Sequence, residues 1–185
     1  MAASEEDYDR LVKDVVEEFP DFSLVAKAES RLMRAIGFLL KVMTFGKNSS
    51  FMTSFTTTIG DTVYTPTEWM KKTAEERIRT LRHERIHLRQ QQRHGRAWFS
   101  FLYIFAWFPI GFAKFRRDFE MEAYEETLRA IVEQRGAQFI FNRTLKDRIV
   151  SNFVSANYFW TWYRRKDIEK WYDDARERIL EEHLK

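Results

Sequence analysis

The chain has 185 residues, of which 44% are hydrophobic and 16% aromatic, and its formal net charge at neutral pH is +3. This length and composition predict one globular domain with a sizeable core, and the small net charge does not require a nucleic-acid partner. The absence of cysteine excludes a disulfide scaffold, a thiol nucleophile and a cysteine-ligated metal site.

Two helices are predicted at the N-terminal end, because apolar residues recur three and four positions apart in residues 5–18 and 26–44. The segment Phe51–Thr65 is instead rich in Thr, Phe, Val and Tyr. It contains Gly60-Asp61 between two short β-prone runs, which predicts a β-hairpin.

A longer helix should follow the hairpin, because Thr73 and Glu76 form a capping-box pattern. This helix is predicted to run to about His94 and to end at Gly95. Another helix is expected from Ala113 to Arg135, and two more between residues 137 and 185. We therefore expect a mostly helical α+β fold with a small hairpin or sheet before the central helix. Residues 1–185 would form a single domain, with N-terminal helices in 1–48, a core in 49–136 and C-terminal helices in 137–185.

The first twenty residues are acidic and lack the apolar run of a secretory signal, so the sequence predicts a cytoplasmic protein. Ala97–Ala113 contains no charged residue and is close to the minimum length of a membrane span. Its many aromatic residues leave peripheral membrane contact open as an alternative to a buried helix.

The central helix carries the motif H-E-x-x-H, formed by His83, Glu84 and His87. Residues four apart lie on one face of a helix, so the two imidazoles can bind one metal ion. Glu84 lies about 100° around the helix from His83 and can take a proton from zinc-bound water without being a ligand. The sequence therefore predicts a zinc site with Glu84 as its general base.

A catalytic zinc ion needs a third protein ligand, which in this chain must be His, Asp or Glu. His94 is about 10 Å beyond His87 along a straight helix, which is too far. The metzincin pattern is not followed, because Gln90 and Arg93 occupy the positions of its Gly and its third His. The acidic stretch from Asp118 to Glu122 is a better source.

His83-Glu84-x-x-His87 followed by Glu120-x-x-Ala123-Tyr124 resembles the gluzincin branch of the zincin metallopeptidases, including its small bacterial and phage-like members. The resemblance implies that Glu120 is the third zinc ligand and that Ala123 is the small residue packed against the active-site helix. Tyr124 occupies the position of an Asp that supports a zinc-binding His in the family. Glu122 is the rival ligand, and it lies about 200° around the helix from Glu120.

The predicted function is a zinc-dependent metallopeptidase that hydrolyses peptide bonds of a peptide or protein substrate. The resemblance also implies an edge strand that pairs with the substrate, supplied by Phe55–Ile59 or Thr62–Thr65. It further implies a second oxyanion donor, for which the candidates are Tyr158, Tyr163, Arg164 and His183.

Two other functions stay open. One is a non-catalytic zinc-binding module with a structural or interaction role. The other is a basic helical nucleic-acid binder, which an arginine stripe opposite the metal face would serve (Arg82, Arg85, Arg89, Arg93 and Arg96). We expect this stripe to be paired with acids of neighbouring helices instead.

A single membrane span at residues 97–113 would separate His87 and Glu120 by about 30 Å, so it is incompatible with a shared zinc ion. The sequence leaves the oligomeric state open.

Overall fold

The fold was obtained as a computed structural model, which describes residues 3–43, 50–96, 98–99, 112–154 and 164–184. The described residues form mostly helices and one three-stranded sheet, which confirms the predicted α+β class. Two compact units can be distinguished, residues 3–88 and residues from Arg89 onward. The division falls inside one helix, α4 (Ala74–His94), which runs through it without a break. The interpretation of residues 1–185 as a single domain stays a prediction.

The unit of residues 3–88 begins with α1 (Glu5–Glu18), whose bounds agree with the predicted helix. Ser4 caps it and forms a capping box with Asp7. The strand β1 (Ser23–Ala26) follows, and then α2 (Arg31–Met43). The prediction of one helix from residue 26 to 44 was thus wrong at its start, because β1 and the turn after it precede α2. A short helix α3 (Ser50–Thr53) leads to the hairpin, so the predicted β-prone segment Phe51–Thr65 begins in a helix and not in a strand.

The hairpin consists of β2 (Thr57–Ile59) and β3 (Thr62–Thr65), which pair antiparallel as predicted. Gly60 has φ +58° in the turn between them. β1 adds to the other side of β3 in parallel register, with Ser23 opposite Thr62 and Ala26 opposite Thr65. The strand order is therefore β1-β3-β2. Thr62–Thr65 is the central strand, so the alternative in which it supplies a substrate-binding edge was wrong, and β2 is an edge strand.

The core of this unit lies between α1, β3 and α4. The buried residues are Tyr8, Val15, Phe19, Val63, Trp69, Ile78, Leu81 and Leu88. Two ion pairs, Arg77 with Glu5 and Arg85 with Glu18, join α4 to α1. This packing leaves other faces of α4 for the HExxH residues.

In the unit from Arg89 onward, the described residues include the end of α4 and the helices α5 (Phe112–Arg135), α6 (Arg143–Val154) and α7 (Arg165–His183). α5 ends as predicted before Gly136, which has φ +93°. A 3₁₀ turn over Ala137–Phe141, which the sequence did not predict, connects α5 to α6. The core of this unit is formed by α5, α6, α7 and the 3₁₀ turn, and in it the Tyr172 hydroxyl donates to the Ile140 carbonyl at 2.8 Å.

In the part of the chain that is described, no helix has both the length and the hydrophobicity to cross a bilayer. Most of the apolar run predicted at Ala97–Ala113 lies outside the described residues, as do Tyr158, Trp160 and Trp162 of the predicted C-terminal helices. The interpretation of this run as a buried helix, and its peripheral membrane contact, stay predictions.

Candidate metal centre

Helix α4 carries the HExxH residues, and both of its ends are formed by recognisable capping residues. At its N-terminus the Thr73 amide donates to Glu76 at 2.9 Å, and the Glu76 amide donates to the Thr73 hydroxyl at 3.3 Å. At its C-terminus Gly95 adopts φ +83°, which favours glycine. Both ends agree with the prediction, and the residues between them keep the helical spacing that the motif requires.

His83 and His87 lie side by side on this helix. Their ring centroids are 5.0 Å apart and the rings are inclined at 77°. His87 is 5% exposed and His83 is half-buried. Both imidazoles are thus on one face of α4, one helical turn apart, as the motif predicts.

Glu84 is buried and accepts a hydrogen bond from the edge strand of the sheet. The Thr58 hydroxyl donates to its Oε2 atom at 2.6 Å, the short distance typical of a hydroxyl bonded to a carboxylate. Thr58 is the middle residue of β2, where it pairs with Val63. The hairpin therefore orients the carboxylate that the sequence assigned as general base.

The Lys27 side chain is fully buried in the same unit, directly after β1. Its Nζ atom donates to the carbonyls of Phe51 and Phe55, at 2.8 and 2.7 Å, and lies 3.8 Å from the centre of the Phe51 ring. Burial lowers the pKa of Lys27 from 10.5 to about 7, and the negative charge of Glu84 opposes part of this shift. Lys27 thus holds the chain segment that leads into β2.

Glu120 lies on α5 and is 1% exposed. The C-terminal turn of α4 contacts this part of α5 through Gln90, whose side-chain amide donates to the Phe119 carbonyl at 3.0 Å and to Glu122 at 2.9 Å. Phe119 also packs on Phe99, with ring centroids 4.8 Å apart. These contacts fix the part of α5 that carries Glu120.

One ligand atom on each of His83, His87 and Glu120 lies within 4.8 Å of the other two. Two imidazoles and a carboxylate are the ligand types of a catalytic zinc site. The donor types of the residues present therefore fit zinc.

Glu122, the rival ligand, has other partners. Its carboxylate accepts from Gln90 and from Arg93, the latter at 3.1 Å. Glu122 therefore connects the end of α4 to α5. The signal that could have found this contact is the pair Gln90 and Arg93, three residues apart on one helix face.

Ala123 and Tyr124, the other residues of the second motif, differ in their surroundings. Ala123 is completely buried, as a small packing residue should be. The Tyr124 hydroxyl accepts a hydrogen bond from the Asn152 side chain of α6 at 2.9 Å, and its ring packs on Phe153. Support of a zinc-binding histidine by Tyr124 stays a prediction.

The two oxyanion candidates among the described residues, Arg164 and His183, are not brought together. Arg164 is exposed immediately before α7, and His183 is exposed at the other end of that helix. Nineteen helical residues separate them by about 28 Å, so at most one of the two can serve the site. Tyr158 and Tyr163 lie outside the described residues.

The arginine stripe of α4 has acidic partners at two of its members. Arg85 donates to Glu18 at 2.6 Å, and Arg93 forms an ion pair with Glu122. These pairs agree with the expectation that the stripe is matched by acids of neighbouring helices.

Sequence reasoning missed Thr58 and Lys27. Three consecutive threonines, residues 56–58, gave no means of choosing the one that contacts Glu84. The contact of Lys27 with the segment before β2 was not predicted, because residues 26–44 were expected to form one helix.

Comparisons with protein-family models, with curated proteins and with solved structures found no match to this chain.

Proposed function

We propose that the chain is a zinc-dependent metallopeptidase in which His83, His87 and Glu120 hold the metal and Glu84 is the general base. The observation that carries the proposal is the grouping of these three ligand atoms within 4.8 Å. Glu84 supports it, because a buried carboxylate beside the group suits proton transfer. A cytoplasmic location and a gluzincin-like ancestry are part of the same proposal.

Zinc at such a site supplies Lewis-acid chemistry, polarising a carbonyl and making water a nucleophile near neutral pH. The chain's own contribution is the proton transfer. Glu84 would accept a proton as the water oxygen bonds to the scissile carbonyl carbon, and would return it to the amine as the C–N bond breaks. The Thr58 hydroxyl holds one carboxylate oxygen during this exchange and leaves the other for the proton.

The edge strand β2 provides a way to position an extended substrate. β2 pairs with β3 on one side, and its other side is the edge of the described sheet. Backbone groups along such an edge can accept a peptide as an added strand. Because Thr58 belongs to β2 and contacts Glu84, a peptide paired there would lie next to the base.

The test is cleavage of a mixed peptide library, read by mass spectrometry, with the native chain and Glu84→Gln. We expect zinc-dependent cleavage by the native chain and a loss of at least about 100-fold in Glu84→Gln, with zinc retained. Glu75→Gln is the matched control, since Glu75 lies on the same helix but contacts Arg79. Equal cleavage by native chain and Glu84→Gln would disprove the mechanism. Zinc binding without any cleavage would instead favour the non-catalytic zinc-binding module.

A further inference from the structure

Helix α2 presents an apolar face to solvent. Four large apolar residues on it are 50–71% exposed: Leu32, Phe38, Leu39 and Val42. At 100° per residue they cover an arc of about 120°, and the buried Met33 lies about 180° from Val42. The helix therefore packs through one side and leaves a second apolar stripe largely exposed among the described residues.

Basic residues accompany this stripe. Arg34 and Lys41 run along one border of it, Arg31 lies within its arc in the first turn, and all three are exposed. None of them forms an ion pair with an acid in the described ranges. Between residues 30 and 60 the chain has no Asp or Glu, and it has a fourth basic residue, Lys47. The nearest preceding acid is Glu29. An exposed apolar stripe with a purely basic border is the pattern of a helix that lies in a membrane interface.

We propose that α2 docks the protein on an anionic membrane surface. Its 13 residues span about 20 Å, too short to cross a bilayer, so the helix would lie in the plane of the surface. Phe38, Leu39 and Val42 enter the boundary between headgroups and acyl chains, while Arg34 and Lys41 contact lipid phosphates. The charge of the helix selects this occupant over a second copy of the chain, because two α2 helices would bring like charges together.

The inference does not depend on the proposed metallopeptidase function, and it concerns a different segment from residues 97–113. Membrane docking through α2 would bring the proposed peptidase to the membrane surface, because α2 and the HExxH residues of α4 belong to the same unit of the chain. A substrate held at the membrane surface is then the natural target.

The test is co-sedimentation of the full chain with phosphatidylcholine vesicles, with and without phosphatidylserine. We expect binding to the anionic vesicles only, and weaker binding as salt rises. Arg34→Gln with Lys41→Gln should lower the partition coefficient by about fivefold for each residue removed. The double variant Phe38→Gln, Leu39→Gln should abolish binding, and circular dichroism should show that it keeps its helices, since both side chains are exposed.

Met70→Gln is the matched control, because Met70 is an exposed apolar residue of the same unit outside α2. Its binding should equal that of the native chain. Trp98→Ser tests the other apolar segment, and loss of binding in that variant alone would overturn the assignment to α2. Equal binding by the Phe38, Leu39 variant, or no binding by the native chain, would also overturn it. The assignment would also be overturned if the native chain were a dimer in solution and the Phe38→Gln, Leu39→Gln variant were monomeric but bound vesicles as the native chain does.

Discussion

The Thr58 hydroxyl lies 2.6 Å from Oε2 of Glu84, and this hydrogen bond connects the edge strand of the sheet to the HExxH helix. The contact links two parts of the proposed mechanism. A substrate strand paired with β2 and a proton transferred by Glu84 would both depend on the position of one residue. In that mechanism the hairpin would have a role beyond covering the core.

Removal of the Thr58 hydroxyl should weaken catalysis but not zinc binding. A hydrogen bond to a charged group contributes about 1.5–3 kcal/mol, so Thr58→Val should lower kcat/KM by at least about tenfold. Thr58→Ser keeps the donor and should restore most of the activity. The measurement is peptide hydrolysis at equal zinc content.

The control for this prediction is Thr57→Val. Adjacent strand residues point to opposite faces, so Thr57 occupies the same strand without facing Glu84. If Thr57→Val lowers kcat/KM as much as Thr58→Val does, the effect comes from the strand and not from the hydrogen bond.

Glu120, not Glu122, should control zinc affinity. Glu120→Gln replaces a buried ligand carboxylate by an amide and should weaken zinc binding by more than about 100-fold, since even outer partners of ligands contribute 10- to 100-fold. Glu122→Gln should cost less than about tenfold, because Glu122 contacts Gln90 and Arg93. Competition with a chromogenic chelator measures both affinities. The reverse order would assign the wrong face of α5 to the metal.

The buried Lys27 should make stability depend on pH in a defined window. Its pKa is about 7 in the folded chain and 10.5 when unfolded, so between these values the unfolded state binds one more proton. The free energy of unfolding should therefore rise with pH from about 7 to 10.5, by up to about 1.4 kcal/mol per pH unit. Below about pH 7 both states are protonated and this slope disappears.

Lys27→Met removes that contribution while keeping the length of the side chain. Denaturant unfolding of both proteins at several pH values gives the comparison. The difference in unfolding free energy between native chain and variant should change across the window in favour of the native chain as pH rises. A constant difference would mean that Lys27 keeps its ordinary pKa in the folded chain.

Local signals predicted much of the fold. The capping box at Thr73, the stop at Gly95 and the turn at Gly60 each rest on a few adjacent residues, and each is found in the structure. β1 was missed because its strand character comes from parallel pairing with β3, about 39 residues further along the chain. Local apolar spacing cannot report a contact of that range.

In the candidate site, too, local features could be predicted and long-range contacts could not. The helical spacing of His83 and His87 follows from the sequence, and the resemblance to gluzincins added Glu120. Thr58 contacts Glu84, and Lys27 contacts the segment before the hairpin. Both contacts depend on the pairing of strands in the sheet, which could not be predicted from the sequence. Burial of Glu120 likewise depends on how α5 packs.

Metal content is the most direct test of the central claim, that His83, His87 and Glu120 bind one zinc ion. Protein purified without a tag would be analysed by inductively coupled plasma mass spectrometry beside the double variant His83→Ala, His87→Ala. The account predicts close to one zinc per native chain and almost none in the variant, while His94→Ala, an exposed histidine at the end of the same helix, keeps the native amount. Equal zinc in the native chain and the double variant, or no zinc in either, would contradict it.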